Sequence, residues 1–358
     1  MTNSFRINLS CMDDYRPNWI DFSKVFMIYL VVLGHYTTTM ELPFKPTGLY
    51  HIMKIITLFH MPFFFIVSGY LYKKISVMKT IEKGWVQLLK PYVIMCTISC
   101  LVMVAISVFL HHFSIDNCIN LFIGIITSSD GLHGAWNWSS PLWFCYSLFL
   151  IKIVVSLFQN TENKIIKWIL GGVLVIGSIL VLYLGECMPF HFDSSLIGLT
   201  FFLIGYFCKN LISKLIKLPV LKKFVLIVLL LFLLVISASI NLDFYNKGDL
   251  SINANRYGPY PLSFIISGVS GSLMIILIMT FVHINNNCLR SMILRISNGT
   301  IVVLGFHWAI YKLFFWWISS YSIIIAICVA LLNLSICYIL ILLSSKYCKA
   351  ILGNRSLT

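Results

Sequence analysis

Ten long apolar stretches recur along this chain of 358 residues and constrain its fold more than any other feature. Most approach the roughly 20 residues that a helix needs to cross the hydrocarbon core of a bilayer. The chain is 59% hydrophobic and 11% charged, with a mean hydropathy of +0.92, values that soluble domains do not reach. We therefore predict an all-α integral membrane protein with about ten transmembrane helices, the lipid bilayer being its first partner. The predicted spans are 19–40, 49–72, 91–110, 141–158, 165–184, 194–208, 224–240, 263–284, 296–318 and 322–343.

Lysine and arginine residues are distributed unevenly between the two sets of connections. Eighteen lie in the two terminal segments and in the connections on the same side, whereas Lys45, Lys247 and Arg256 are the three on the other side. Because cytoplasmic loops carry the excess of basic residues, this distribution predicts that both termini are cytoplasmic. The expected organisation is a cytoplasmic segment 1–18, a transmembrane domain 19–343 and a cytoplasmic tail 344–358. The polar first segment has no pattern of a cleavable signal peptide.

Two other interpretations of the composition are not favoured. The net charge of +14 could indicate nucleic-acid binding, but the basic residues form short clusters between apolar spans, as expected for loops facing anionic lipid. The eleven cysteines include no CxxC pair and six lie in apolar spans, so they are interpreted as small core residues. Neither nucleic acid nor a metal is predicted.

The first span contains three polar residues that need a reason to be there. Asp21, Lys24 and His35 lie on one face of the predicted helix, since a separation of eleven residues places Lys24 and His35 within about 20° of each other and roughly 16 Å apart along the axis. Charged groups at membrane depth are costly and usually face a protein interior. Lys24 is predicted near the cytoplasmic end and His35 in the outer half. The alternative is that Lys24 snorkels to the interface and His35 caps the helix.

Two further spans place polar groups at depth. His60 begins the stretch HMPFFFIVSGYLYKK, in which Ser68-Gly69 allows close approach of another element, and His307 lies near the middle of the ninth span. Either histidine can be a candidate base or a hydrogen-bonded packing residue. The basic stretch 73–90 is predicted as an interfacial helix whose lysines meet lipid headgroups or a phosphate-bearing ligand.

Two predicted outer loops offer groups for recognising a polar partner. Trp136 and Trp138 could stack on sugar rings, although interfacial tryptophan belts give the same pattern. The loop 241–262 is polar and rich in turn residues, and it holds Arg256 and Tyr257. Loops of this kind often carry function.

Five stretches together resemble the acyltransferase 3 family of multi-pass membrane proteins, in particular its fucose 4-O-acetylase-like branch. They follow the order of that family over nearly the full chain: RPNWIDFSKVFMIYLVVLGH (16–35), FHMPFFFIVSGYLYKK (59–74), PLWFCYSLF (141–149), INANRYGPYPLSFIISGVSGSL (252–273) and NGTIVVLGFH (298–307). The family typically has an Arg, ten residues and a His in the first helix. Here Lys24 stands at the basic position and His35 at the other, which keeps the charge but loses the planar fork of arginine.

The resemblance implies transfer of an acyl group, usually acetyl from acetyl-CoA, to a hydroxyl of an extracytoplasmic or lipid-linked saccharide. It implies a bacterial cytoplasmic membrane location and catalytic roles for His35 and Lys24. His60 and His307, which lie at depth in their spans, are the reserve candidates for the catalytic base. Lys24 and Ser68 are the candidates for binding acyl-CoA, and Trp136, Trp138, Arg256 and Tyr257 for binding the saccharide acceptor. The alternative from composition alone is a transporter or flippase, in which buried His and Lys residues form a path without covalent chemistry. The oligomeric state is not predicted.

Overall fold

The computed structural model describes residues 18–38, 47–127, 138–184, 188–241, 250–253, 255–318 and 322–353. Within these ranges the chain is helical, with no β-sheet beyond one isolated bridge between Ser251 and Arg256. The helices are α1 (Trp19–Thr38), α2 (Thr47–Leu71), α3 (Val77–Gly84), α4 (Lys90–Phe109), α5 (Ile115–Thr127), α6 (Trp143–Asn160), α7 (Lys164–Leu184), α8 (Phe192–Phe207), α9 (Lys209–Leu215), α10 (Val220–Ile240), α11 (Pro261–Met279), α12 (Asn287–Asn298), α13 (Thr300–Ile310) and α14 (Ile323–Tyr347).

Seven helical segments of the described chain are long and apolar enough to cross a membrane, and nine if two bent pairs each count as one span. The bent pairs are α8 with α9, at 63°, and α12 with α13, which continues to Phe315, at 82°. Helix α1 is outside this set, although its 20 residues are long enough, because its polar side chains lower its hydropathy. A multi-pass helical membrane protein is therefore confirmed, and the count of ten spans stays a prediction.

One structural difference from the sequence-based prediction concerns residues 73–90. The predicted separate interfacial helix is instead the first part of one long helical segment, Val77–Phe109, which passes through a π-helical turn at Trp85–Leu89. Thr80 and Ser156 hydrogen-bond to each other at 3.1 Å, and Ser156 donates to the carbonyl of Ile75 at 3.1 Å. These contacts hold the basic segment against α6.

Helix α2 lies at the centre of the bundle. In the apolar stretch of α2, 67% of the residues are buried, whereas in the apolar stretch of α7, at the periphery of the bundle, 6% are buried. Helix α2 crosses α8 where Gly69 of α2 and Gly205 of α8 each face the backbone of the other helix. A Cβ atom on Gly69 would overlap the carbonyl oxygen of Phe202, and a Cβ atom on Gly205 would overlap the carbonyl oxygen of Ile66. Small residues let two membrane helices approach to backbone contact. This crossing sets the position of the helix that carries His60 and Ser68.

Helix α1 packs against α2, α11, α12, α13 and α14. Its first turn is fixed by Asn18, whose side-chain oxygen accepts from the backbone N–H of Ile20 at 2.8 Å, while Asp21 accepts from the N–H of Asn18 at 3.2 Å. This reciprocal arrangement satisfies N–H groups that a helix start leaves open. The sharp bend at Gly299 then brings the end of α12 and the start of α13 against this first turn.

Candidate active site

The polar face of α1 begins in a buried network of three side chains. Ser297, at the end of α12, accepts a hydrogen bond from Lys24 Nζ at 3.0 Å and donates one to Asp21 Oδ1 at 2.6 Å. Ser297 is fully buried and Asp21 is 7% exposed. Hydrogen bonds to ionised groups are the strong ones, so this network fixes where the Lys24 ammonium lies.

A basic cavity of about 440 Å³ opens beside Lys24. We call the end of the bundle that contains it the basic end. Its lining includes Ser68 and four lysines, together with apolar residues of α2, α6 and α13; the lysines are Lys24, Lys73, Lys83 and Lys152. Thr300 and Ile301 at the first turn of α13 also line it, and a helix N-terminus carries a partial positive charge. Lys24 and Ser68, both predicted from the sequence to bind acyl-CoA, therefore meet in one cavity whose electrostatics favour anions.

A second cavity of about 140 Å³ lies toward the opposite end of α1, and we call it the outer cavity after the orientation predicted from the sequence. His35 and His60 both line it, with Trp143 from α6 and Asn253 from the segment that precedes α11. The two half-buried imidazoles therefore face a common space. This is the space in which a hydroxyl group could meet a nitrogen base.

His307 lies behind His35 rather than in the cavity lining. The two imidazole ring centroids are 5.1 Å apart, and His307 is 1% exposed. The carbonyl oxygen of Val303 lies 2.7 Å from His307 Nδ1, so Nδ1 carries the proton of the neutral ring and Nε2 is left as an acceptor. That Nε2 is buried and makes no hydrogen bond within the described residues. Within the described residues, His307 therefore keeps one acceptor nitrogen without a hydrogen bond.

Other side chains fix this pair of histidines. Trp308 packs edge-on against His35 at 5.2 Å between ring centroids, and Lys312 lies 5.3 Å above the Trp308 ring. Asn333 donates to the backbone carbonyl of His307 at 2.9 Å. The helix then passes into a π-helical turn at Tyr311–Phe315, a feature that often marks functional sites.

A polar cluster beside the outer cavity has no counterpart in the sequence-based site. His191 stacks against Trp143 at 5.7 Å between ring centroids, and Ser194 donates to the backbone carbonyl of Ile252 at 3.1 Å. Asp193 is 1% exposed. Phe190 and His191 both have positive φ, at 61° and 50°, which is strained backbone for residues other than glycine. The signal in the sequence was the acid-histidine pair in HFD between two apolar spans.

Burial lowers the pKa of His191, which lies between two spans, to about 4. Its imidazole is therefore neutral at physiological pH. Since Ser194 ties α8 to the segment that carries Asn253, the cluster positions one wall of the outer cavity.

Of the predicted saccharide-binding residues, none of those that the structure describes lines the outer cavity itself. Trp136 lies outside the described residues, and Trp138 is half-buried just before the turn that leads into α6. Arg256 is exposed and pairs through its backbone with Ser251, a residue of the outer cavity lining. Tyr257 is 2% exposed and packs edge-on against Phe264 at 5.2 Å. Their role in acceptor binding stays a prediction.

A second large cavity and possible metal ligands are further candidates for parts of a site. A larger cavity of about 640 Å³ lies between α6, α7 and α8, with a mostly apolar lining. Its lysines, Lys74 and Lys167, are the charged groups of that lining, and no histidine is part of it. No group of three or more His, Cys, Asp or Glu side chains in the described residues could hold a metal ion.

The fold and the site define a multi-pass helical membrane protein with a cationic cavity and a second, outer cavity that two histidines line. Residues 18–342 match the acyltransferase domain that defines the acyltransferase 3 family. The chain belongs to this family of acyltransferases. This membership favours the enzyme over the transporter that composition alone left open.

A distant relative supports the same family. The nodulation protein NolL of Mesorhizobium japonicum is 26% identical over 159 residues, which cover 42% of this chain and 38% of NolL. The similarity thus spans well under half of either protein. No solved structure matches the chain.

Proposed function

We propose that this protein is an O-acetyltransferase of the fucose 4-O-acetylase-like branch. It takes an acetyl group from acetyl-CoA in the basic cavity and transfers it to a hydroxyl of an extracytoplasmic or lipid-linked saccharide in the outer cavity. The basic end faces the cytoplasm of a bacterial cell, both termini are cytoplasmic and ten helices cross the inner membrane. The observation that carries the proposal is that one helix, α1, presents Lys24 to the cationic cavity and His35 to the outer one.

The basic cavity suits the phosphate groups of coenzyme A. Four lysine ammonium groups and the positive end of α13 meet there, and lysines and helix N-termini are common phosphate ligands. Lys24 and His35 are roughly 16 Å apart along α1, so Lys24 cannot touch the thioester carbonyl while His35 acts on it. Lys24 therefore holds the phosphate or pantetheine part of the donor, and the flexible arm brings the thioester toward His35.

His35 acts as the general base in the proposed reaction. Its imidazole removes the proton from the saccharide hydroxyl as the oxygen attacks the thioester carbonyl carbon. The carbon–sulfur bond then breaks, and the imidazolium returns the proton to the sulfur, which leaves as coenzyme A thiol. His307 is a positioning residue, since its ring packs against His35 from the buried side. His60, which lines the same cavity, orients the hydroxyl or replaces His35 as the base.

The acceptor contacts the segment that precedes α11. Asn253 lines the outer cavity, and Arg256 is exposed on the same segment. Trp136 and Trp138 are the aromatic groups proposed to stack on the sugar ring. Tyr257 contributes by anchoring the segment to α11 through Phe264.

The test uses purified full-length protein in lipid nanodiscs with radiolabelled acetyl-CoA and methyl fucoside among a panel of hexosides. The parental protein should transfer label to a glycoside. His35→Ala should lower kcat by at least about 100-fold with donor binding kept, since a positioned general base contributes about 10²–10⁴-fold. Lys24→Ala should weaken donor binding by about 1.5–3 kcal/mol with kcat largely kept.

A well-inserted His35→Ala protein that transfers acetyl groups at the parental rate would show that His35 is not the base. Parallel His60→Ala and His307→Ala variants then identify the replacement. Absence of both acetyl-CoA binding and transfer in the parental protein would refute the proposed donor.

A further inference from the structure

The basic cavity and the outer cavity are stacked end to end along the same four helices. On α2 the outer cavity extends to Met61 and the basic cavity begins at Phe64, a separation of roughly 4.5 Å along the helix. On α6, Trp143 lines the outer cavity and its neighbour Phe144 lines the basic one. A single layer of side chains therefore separates the proposed donor site from His35.

Leu304 is the residue that belongs to both cavity linings. It lies on α13, one turn after Thr300 and Ile301 of the basic cavity and one turn before His307. Its side chain is 4% exposed, so it fills the space between the two cavities. Whatever passes from one cavity to the other along α13 must displace this side chain.

We propose that Leu304 is the partition through which the acyl group reaches His35, and that it restricts the donor to short acyl chains of two to about four carbons. Protein interiors hold few voids larger than a water molecule, so the passage that opens when a side chain rotates is about the size of that side chain. The leucine side chain has about four carbon atoms, so the passage that its rotation opens has no room for a longer acyl chain. This inference rests on the proposed function, because it requires acyl-CoA in the basic cavity.

The first experiment measures binding of acetyl-CoA, butyryl-CoA and octanoyl-CoA to the parental protein and to Leu304→Ala in nanodiscs. Removing the partition lets the octanoyl chain continue into the outer cavity. We therefore expect Leu304→Ala to lower the Kd for octanoyl-CoA at least tenfold, while the Kd for acetyl-CoA changes less than threefold. Leu304→Val removes less volume and should shift the preference toward octanoyl-CoA in the same direction. It replaces Leu304→Ala in the experiment if the alanine variant does not fold.

The matched control is Leu58→Ala. Leu58 is 1% exposed in α2 and lines neither cavity, so its truncation makes a similar void away from the passage. It should leave the ratio of octanoyl-CoA to acetyl-CoA affinity at the parental value. A change in that ratio as large as in Leu304→Ala would attribute the effect to general loosening and overturn the partition.

The second experiment closes the passage. Leu304→Trp should reduce transfer of the acetyl group at least 100-fold while the Kd for acetyl-CoA stays within threefold of the parental value. Parental transfer rates in this variant, or the same chain-length preference in Leu304→Ala as in the parental protein, would overturn the proposal. Failure of the parental protein to bind any acyl-CoA would instead refute the proposed donor site, and the partition with it.

Discussion

Ser297→Ala tests whether the network around Lys24 prepares the donor site. The hydroxyl of Ser297 links Lys24 to Asp21 through hydrogen bonds of 3.0 and 2.6 Å. Asp21 is nearly buried and would lose a charged hydrogen bond, which costs about 1.5–3 kcal/mol of stability. Lys24 is half-buried at the cavity and would lose one of the contacts that orient its ammonium group.

The expected effect on donor binding follows from side-chain entropy. Ordering a free lysine side chain costs up to about 2 kcal/mol, and the Ser297 contact removes part of that cost before the donor binds. In Ser297→Ala we expect the binding free energy of acetyl-CoA to weaken by about 1–2 kcal/mol, which raises the Kd roughly 5–30-fold. The value of kcat should change less than threefold, because His35 lies roughly 16 Å farther along the helix.

The assay combines titration calorimetry of acetyl-CoA with transfer kinetics in the same nanodiscs. Ser23→Ala is the matched control, since Ser23 is fully buried and donates to the carbonyl of Trp19 in its own helix at 2.6 Å. It should leave the Kd unchanged. An unchanged Kd in Ser297→Ala as well, with the loss of stability observed, would show that this network stabilises the helix start without preparing the donor site.

Three other outcomes are expected. Gly205→Ala should lower the folding stability by at least about 3 kcal/mol and abolish the folded peak on size-exclusion chromatography, because its Cβ meets the backbone of α2. The control Gly172→Ala has open space around it and should be neutral or stabilising by up to about 1 kcal/mol. Equal yields of folded protein from the two variants would contradict the close crossing. Between pH 6.5 and about 4, His191 binds a proton in the unfolded protein but not in the folded one, so lowering the pH decreases the folding stability by up to about 3 kcal/mol. Thermal unfolding of His191→Gln should therefore be less sensitive to acid than that of the parental protein. An identical pH profile for the two proteins would refute the pKa argument. With the native cysteines replaced, a cysteine at the exposed position Lys217 should be protected from an impermeant thiol reagent in intact cells, whereas a cysteine at the exposed position Asn117 should react. The reverse pattern of labelling would show that the predicted membrane orientation is inverted.

The approximate positions of most helices and one polar face could be predicted from the sequence because both depend on local patterns. Apolar runs of membrane length locate the spans, and a spacing of eleven residues places Lys24 and His35 on one side of α1. The family resemblance over residues 16–307 added the chemistry, and the family itself is confirmed. Sequence alone did not reveal that residues 77–109 continue as one helix, or that Thr80 in its first part contacts Ser156 of α6.

The composition of the two cavities was decided by tertiary structure. Ser297 meets Lys24 across 273 positions of the chain, and nothing in the local pattern of either segment indicates the contact. The 82° bend at Gly299 makes that contact and also aligns Leu304 and His307 behind the polar face of α1. Sequence periodicity reports which side of a helix is apolar, whereas crossing angles and bends determine which distant side chains share a cavity. The site therefore required the packed bundle, although the residues at its two ends were identifiable from the first helix.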